Sequence, residues 1–232
     1  KVLLIEKKVP LEGITYSIYE KADYFINAII PEGFGYRFDL NSPKGNYERL
    51  YFSQLGLHNL SNALAAFAMT SEFGLDERQL TEAFGTFKGV DRRLQLIVEN
   101  NRHVLIDDYA HHPTEINAVF ETLQNAYPKE QKCVIFQPHL FSRTRDFMDD
   151  FARALSQFDE VILLSIYPAR ELPIPGVNTE ALSNKISSKV KVSVIEKHEL
   201  LPKIEDISAR VKVVLGAGDI GLEVEKIKQK LI

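Results

Sequence analysis

Up to residue 57 the apolar positions come in short runs rich in Ile, Val, Tyr and Phe, at 2–5, 15–19, 23–30, 36–39 and 49–52. Turn-forming residues separate them: Pro10, Gly13, the stretch 31–33 and the stretch 41–46. Runs bounded in this way predict strands, and their close spacing predicts a meander of hairpins. At His58 the period changes. Leu60, Leu64, Phe67 and Ala68 fall on one helical stripe, and Gly74 supplies a stop, so a helix is predicted. Asp76 reads as the N-cap of a second helix over 77–87. A domain boundary is placed near Gly89.

From Leu94 onward strands and helices alternate. Runs 94–99 and 103–106 flank Asn100-Asn101, a hairpin signal. Then follow helix 114–126, strand 132–136, helix 144–157, strand 161–164, a Pro-rich loop at 168–175, helix 179–187, strand 190–195, a short helix 200–207, strand 211–215 and helix 222–231. Repeated β-α units predict a mostly parallel sheet with helices on both faces.

Composition narrows the picture. The 232 residues are 45% hydrophobic and 26% charged, which excludes a disordered or fibrous chain. Lys+Arg is 28 against Asp+Glu 32, a net charge of −4, which argues against nucleic-acid binding by bulk electrostatics. One cysteine, Cys133, excludes an internal disulfide and a Cys-based zinc cluster and fits a reducing, cytoplasmic setting. No apolar stretch approaches the ~20 residues of a membrane span, and no signal-peptide pattern is visible. The chain starts at Lys1 rather than Met and enters directly on a strand-like run. The expectation is a piece of something longer.

Ligands of open α/β sheets bind beyond the carboxyl ends of the strands. Three successive strand ends here carry dense polar chemistry: Asp107-Asp108-Tyr109-Ala110-His111-His112-Pro113, then Gln137-Pro138-His139 with Arg143 and Arg145, then Ser165-Ile166-Tyr167-Pro168-Ala169-Arg170-Glu171. Parallel strand ends share one edge, so these groups are expected to converge. Asp107, Asp108, His111 and His112 have ligand types suited to zinc or iron. Adjacent His residues on an extended segment point apart, however, so no metal site is assigned. Two other readings stay open: capping of helix 114–126 by Asp108 or a His, and contact with a substrate or a ribose diol. Arg143 beside His139 suits a carboxylate or phosphate clamp, or merely a solvated helix start. Arg92-Arg93 sits at the junction and is either an anion site or a solvated pair. His58-Asn59 with Asn62 opens the first helix; an Asn amide there caps it, lies on its surface, or reads an adenine edge.

Gly216-Ala217-Gly218-Asp219-Ile220-Gly221 formally matches G-x-G-x-x-G. Too few residues follow it for a second strand and a ribose-binding acid, so a nicotinamide or flavin site is not expected. A tight turn with amides facing the crevice is expected instead.

Together these segments resemble the Mur ligase family. His58-Asn59-Leu60-Ser61-Asn62-Ala63-Leu64-Ala65-Ala66 is similar to its H-N-x-x-N-x-x-A-A segment, and Gly89-Val90-Asp91-Arg92-Arg93-Leu94-Gln95 to its junction into the last domain. Asp107-Asp108-Tyr109-Ala110-His111-His112-Pro113-Thr114-Glu115 and Gln137-Pro138-His139-Leu140-Phe141-Ser142-Arg143-Thr144 are the most specific matches. They point to the branch that adds L-alanine to UDP-N-acetylmuramate rather than the branch that recycles murein tripeptide. Leu140, where many members carry a basic residue, and Ala110, often Gly, depart from the pattern.

The resemblance implies an α/β fold. Residues 90–232 would form a C-terminal Rossmann-like domain with a mostly parallel sheet. Residues 1–89 would be the strand-rich tail of a P-loop ATPase central domain. It implies an ATP-dependent amide ligase of peptidoglycan synthesis working through an acyl phosphate. His58, Asn59 and Asn62 would then lie on the adenine side, Asp108 near the ribose and Arg92 or Arg93 on the phosphates. Tyr109, His111, His112, His139 and Arg143 would face the amino-acid substrate, with Asp108, His139 and Arg143 as the catalytic set. No G-x-x-x-x-G-K-[ST] occurs in the chain. The P-loop, the magnesium ligands and the UDP-sugar domain are therefore expected upstream, and the chain alone is expected to be inactive. Outside the ligase reading stand a non-catalytic nucleotide or amino-acid binding module, which predicts no upstream P-loop, and a dinucleotide oxidoreductase resting on Gly216–Gly221 alone.

Overall fold

The structure is a computed structural model that describes residues 4–6 and 13–232. Val2, Leu3 and Pro10, all used in the strand and turn expectations, lie outside the described residues. The chain divides into two compact units, Lys1–Gly89 and Val90–Ile232.

The first unit holds a sheet in the order β1-β2-β3-β4-β5, formed by β1 (Leu4–Glu6), β2 (Ile14–Ser17), β3 (Tyr24–Glu32), β4 (Gly35–Ser42) and β5 (Gly45–Phe52). The expected meander holds only for β3–β4–β5, which are antiparallel, whereas β1–β2 and β2–β3 are parallel. The reason lies in the connections. Among the described residues of this unit, two-residue hairpin links occur only at Gly33-Phe34 and Pro43-Lys44, and parallel neighbours cannot be joined by a tight turn. Helix α1 (Leu57–Glu72) buries Leu60, Leu64, Phe67 and Ala68, the predicted stripe. Helix α2 (Glu77–Thr86) begins where Arg78 N–H donates to the Asp76 carboxylate at 3.0 Å. The core here is aromatic: Phe38 and Phe52 meet Phe84 edge-on, and Phe67 stacks on Phe84.

The second unit is built on β6 (Gln95–Glu99), β7 (Val104–Asp108), β8 (Lys132–Phe136), β9 (Glu160–Leu164), β10 (Lys191–Ile195) and β11 (Val211–Leu215), in the order β10-β9-β8-β11-β7-β6. Only β6 is antiparallel to its neighbour. Every position of β7, β8, β9 and β11 is buried, as a sheet covered on both faces requires. One face packs against α7 (Leu200–Glu205) and α8 (Val224–Leu231) through Leu105, Ile135, Ile162 and Val214. On the other, Phe136 meets Phe151 of α5 (Met148–Leu155) at 5.4 Å between ring centroids. Helix α3 (Pro113–Ala126) and the short α6 (Thr179–Ser183) pack beside α5.

Some predicted helices differ in extent. The expected helix 144–157 is two, α4 (Phe141–Asp146) and α5, broken at Phe147. Helices α6 and α7 end short of 187 and 207, and the last helix starts as a 3-10 turn at Asp219–Glu223. Among the described residues no helix is long and apolar enough to cross a membrane.

Candidate functional site

Strand β11 lies between β7 and β8. The carboxyl edge of the second sheet is thus lined by four loops, those after β7, β11, β8 and β9. Rings bridge three of them. The Arg92 guanidinium lies 5.0 Å from the centroid of Tyr109, which meets His111 at 5.5 Å; His111 meets His139 at 6.2 Å, and His139 stacks on Tyr167 at 5.6 Å and 20°. The structure therefore brings Arg92, Tyr109, His111, His139 and Arg143 together at one edge.

Asp107 and Asp108 end β7 and, as strand neighbours, face opposite ways. Asp108 is buried, and its two oxygens accept from the Leu94 and Ala110 amides, each at 2.7 Å. Burial raises its pKa against those two hydrogen bonds. It does not cap α3. Asp107 accepts from Arg92 Nε at 3.2 Å, while its buried Oδ1 has no hydrogen-bond partner. Burial pushes Asp107 up to about 6 against the pull of Arg92. Arg92 also donates to the Gly216 carbonyl, so two of its three nitrogens are committed inside the unit. Arg93 is exposed.

His112 caps α3. Its Nδ1 accepts from Thr114 N–H at 3.4 Å, and Glu115 reaches back to the His111 and His112 amides at 2.8 and 3.0 Å. Its ring packs on Phe147 at 4.6 Å, away from the His111 ring. His111 donates from Nδ1 to the Tyr109 carbonyl at 3.0 Å, a contact only an N–H can make. A neutral His111 then carries an acceptor at Nε2. His139 is the converse. Arg143 donates to its Nδ1 at 3.4 Å, and a guanidinium only donates, so His139 is neutral with its proton on Nε2. Burial, Arg143 and His111 all lower its pKa. The edge thus offers a guanidinium, an imidazole donor and an imidazole acceptor within a half-buried cluster. Arg145, by contrast, pairs with Asp146 on the surface.

The glycines of residues 216–221 serve close packing. A Cβ on Gly218 would lie 2.5 Å from Gln137 Oε1 and 2.7 Å from Tyr167 Cγ, and one on Gly221 would lie 2.8 Å from Arg92 Cζ. Gln137 holds this turn, accepting from Ile220 N–H at 3.0 Å and donating to Asp219 at 2.9 Å.

On the first unit, His58 and Asn62 are exposed one turn apart on α1, and Asn59 donates to the Leu55 carbonyl at 2.7 Å. Among the described residues no group of three or more His, Cys, Asp or Glu is arranged to hold a metal ion. Sequence reasoning placed Gln137, Tyr167 and Glu171 at strand ends but did not assign them to the site. Their signal was position alone.

A mostly parallel sheet with one antiparallel edge strand and a cluster of imidazoles and guanidinia at its carboxyl edge is the frame that comparison with known proteins bears on. The chain belongs to the Mur ligase family, matching "Mur ligase, glutamate ligase domain" over residues 92–222. It is 46% identical over 229 residues to the UDP-N-acetylmuramate–L-alanine ligase of Flavobacterium psychrophilum, covering 99% of this chain and 51% of that protein. The ligase of the same name from Christiangramia forsetii is 46% identical over 230 residues, with the same coverage of 99% and 51%. Among solved structures, the UDP-N-acetylmuramate-alanine ligase of Thermotoga maritima superposes with a TM-score of 0.74 at 26% identity, over 94% of this chain and 47% of that one. The chain thus spans about half the length of the curated relatives it matches.

Proposed function

We propose that the full-length protein joins L-alanine to UDP-N-acetylmuramate at the expense of ATP. The observation that carries this is the 46% identity, over 99% of this chain, to ligases of that name. In the proposed reaction ATP phosphorylates the muramate carboxylate, the alanine amine attacks the acyl phosphate, and phosphate leaves as the amide forms. Such transfer is mostly positioning and charge neutralisation.

Within it, Arg143 binds the alanine carboxylate and the Nε2–H of His139 donates to the same substrate, while Tyr109 and His111 line the site. His111, with its free lone pair at Nε2, is suited to accept from the amine. His112 acts from the α3 cap and orients His111. Arg93 meets the ATP phosphates, since Arg92 is held by Asp107 and Gly216. Asp108 approaches the ribose while holding the 92–95 turn through Leu94, and Asn59, Asn62 and His58 serve the adenine. Magnesium accompanies ATP in this scheme. Among the described residues no group of three or more His, Cys, Asp or Glu is arranged to hold it. The setting is cytoplasmic, and no nucleic-acid or membrane partner is proposed.

Phosphate release from the full-length protein with ATP, magnesium, UDP-N-acetylmuramate and single amino acids tests this. Alanine-dependent release is expected. Release only with murein tripeptide would move the protein to the recycling branch, and silence with every acceptor would favour a binding module. The 232-residue chain alone, lacking G-x-x-x-x-G-K-[ST], is expected to release none above a no-protein control.

A further inference from the structure

Helix α4 has an unusual start. Its N-cap residue, Leu140, sits at φ 74° and ψ 134° and gives no side-chain cap. The first amides of a helix need acceptors from elsewhere. Here the acceptor comes from the loop that follows another strand. Ser142 N–H donates to Glu171 Oε2 at 2.8 Å, and the Ser142 hydroxyl donates to Glu171 Oε1. Glu171 belongs to the loop after β9, whose own turn is closed by Glu171 N–H donating to the Pro168 carbonyl at 2.9 Å.

The same loop grips the His139 segment at its other end. Tyr167 N–H donates to the Pro138 carbonyl at 2.8 Å, Leu140 N–H donates to the Tyr167 carbonyl at 2.9 Å, and the Tyr167 ring stacks on His139. Gly218 keeps Tyr167 in place, because a Cβ there would lie 2.8 Å from Tyr167 Cβ. The segment carrying His139 and Arg143 is thus held at two points by residues 167–171, and Arg143 immediately follows Ser142.

We infer that Glu171 is a positioning residue for amino-acid recognition: by capping α4 in trans through Ser142, it sets the Arg143 guanidinium against His139. The inference rests on the proposal that Arg143 binds the carboxylate of the incoming alanine. Charge-assisted hydrogen bonds to a carboxylate are among the stronger local constraints. Losing them frays the first turn of a helix that has no cap of its own.

The test is a cycle of four full-length proteins: wild type, Glu171→Ala, Arg143→Ala and the double variant. KM for alanine and for ATP is measured on each by phosphate release. Glu171→Ala is expected to raise the alanine KM about ten-fold, with the ATP KM unchanged. In the Arg143→Ala background it is expected to add nothing, since a residue acting through Arg143 has no further effect once Arg143 is gone. Glu171→Gln, which keeps one acceptor oxygen, is expected to fall between wild type and Glu171→Ala, and it serves if Glu171→Ala does not fold. An alanine KM that rises for Arg143→Ala but not for either Glu171 variant would overturn the inference and leave the Arg143 assignment standing. Additive effects, or equal rises for ATP and alanine, would also overturn it. An alanine KM unmoved by Arg143→Ala would remove the assignment itself and the inference with it.

Discussion

The two edges of the second unit's sheet are made of the same five parallel strands and differ in what their loops ask of the backbone. At the amino edge, polar side chains are held by ordinary hydrogen bonds, although the buried Arg210 Nε has no partner. Lys132 Nζ donates to the Glu130 carbonyl at 2.8 Å, Lys212 to the Ala209 carbonyl, and Arg210 to Glu130 and the Asn100 carbonyl at 3.1 and 3.2 Å. No residue in those connections has a positive φ. At the carboxyl edge, Arg92, Leu94, Leu140 and Ala169 have φ of 57°, 46°, 74° and 51°, and Gly216 lies at 147°. Each such non-glycine residue costs roughly 1–3 kcal/mol. The strain coincides with the loops that converge Arg92, Tyr109, His111, His139 and Arg143. One edge closes the fold; the other holds a geometry that the fold stabilises against its own preference.

Substitutions should separate the two edges. Lys212 is fully buried, and burial lowers its pKa. Lys212→Ala opens a cavity along its stem and strands the Ala209 carbonyl, so a loss of about 2–4 kcal/mol is expected in chemical denaturation. The KM values for alanine and ATP should not move. A changed alanine KM would break the division between the edges.

Asp107 gives a signed pH effect at the opposite edge. Its pKa rises from 3.8 unfolded to about 6 folded, so the native state binds the proton more tightly. Its contribution therefore falls as pH rises from 3.8 to about 6 and stays low above that. Measured at a series of pH values, the stability of Asp107→Asn should gain on wild type by about 2 kcal/mol across that window. A constant difference would show that the Asp107 carboxyl is not held in a desolvated site.

A smaller effect is expected at Leu140. Leu140→Gly relieves the positive φ and should stabilise the fold by about 1 kcal/mol while loosening α4 and raising the alanine KM. Destabilisation would mean that Leu140 contributes more by packing than its backbone costs.

The contrast also explains what could be read ahead of the structure. The buried strands of the second unit stand out as apolar runs, and the predicted stripe of α1 is the buried one. The break at Phe147 carries no Gly or Pro and left no mark. The parallel pairing of β1, β2 and β3 depends on connections that look like any other turn. At the site, the dense polar loops marked the edge, because strand ends in such sheets share a side. Their partners were not legible. Ser142 with Glu171, Arg92 with the Gly216 carbonyl, and Gln137 with Asp219 are pairings between distant segments; the first is fixed once β8 lies beside β9, the other two only once β11 is inserted between β7 and β8. Likewise, that Arg92 is spent on Asp107 while Arg93 is exposed follows from a turn no local pattern announces.

The most direct test of the carboxyl edge as the amino-acid site is the KM split of Arg143→Ala in the full-length protein. A ten- to hundred-fold rise in the alanine KM is expected, matching the roughly 1.5–3 kcal/mol of a charge-assisted hydrogen bond, with the ATP KM unchanged. An unchanged alanine KM, or a parallel rise for ATP, would contradict the account.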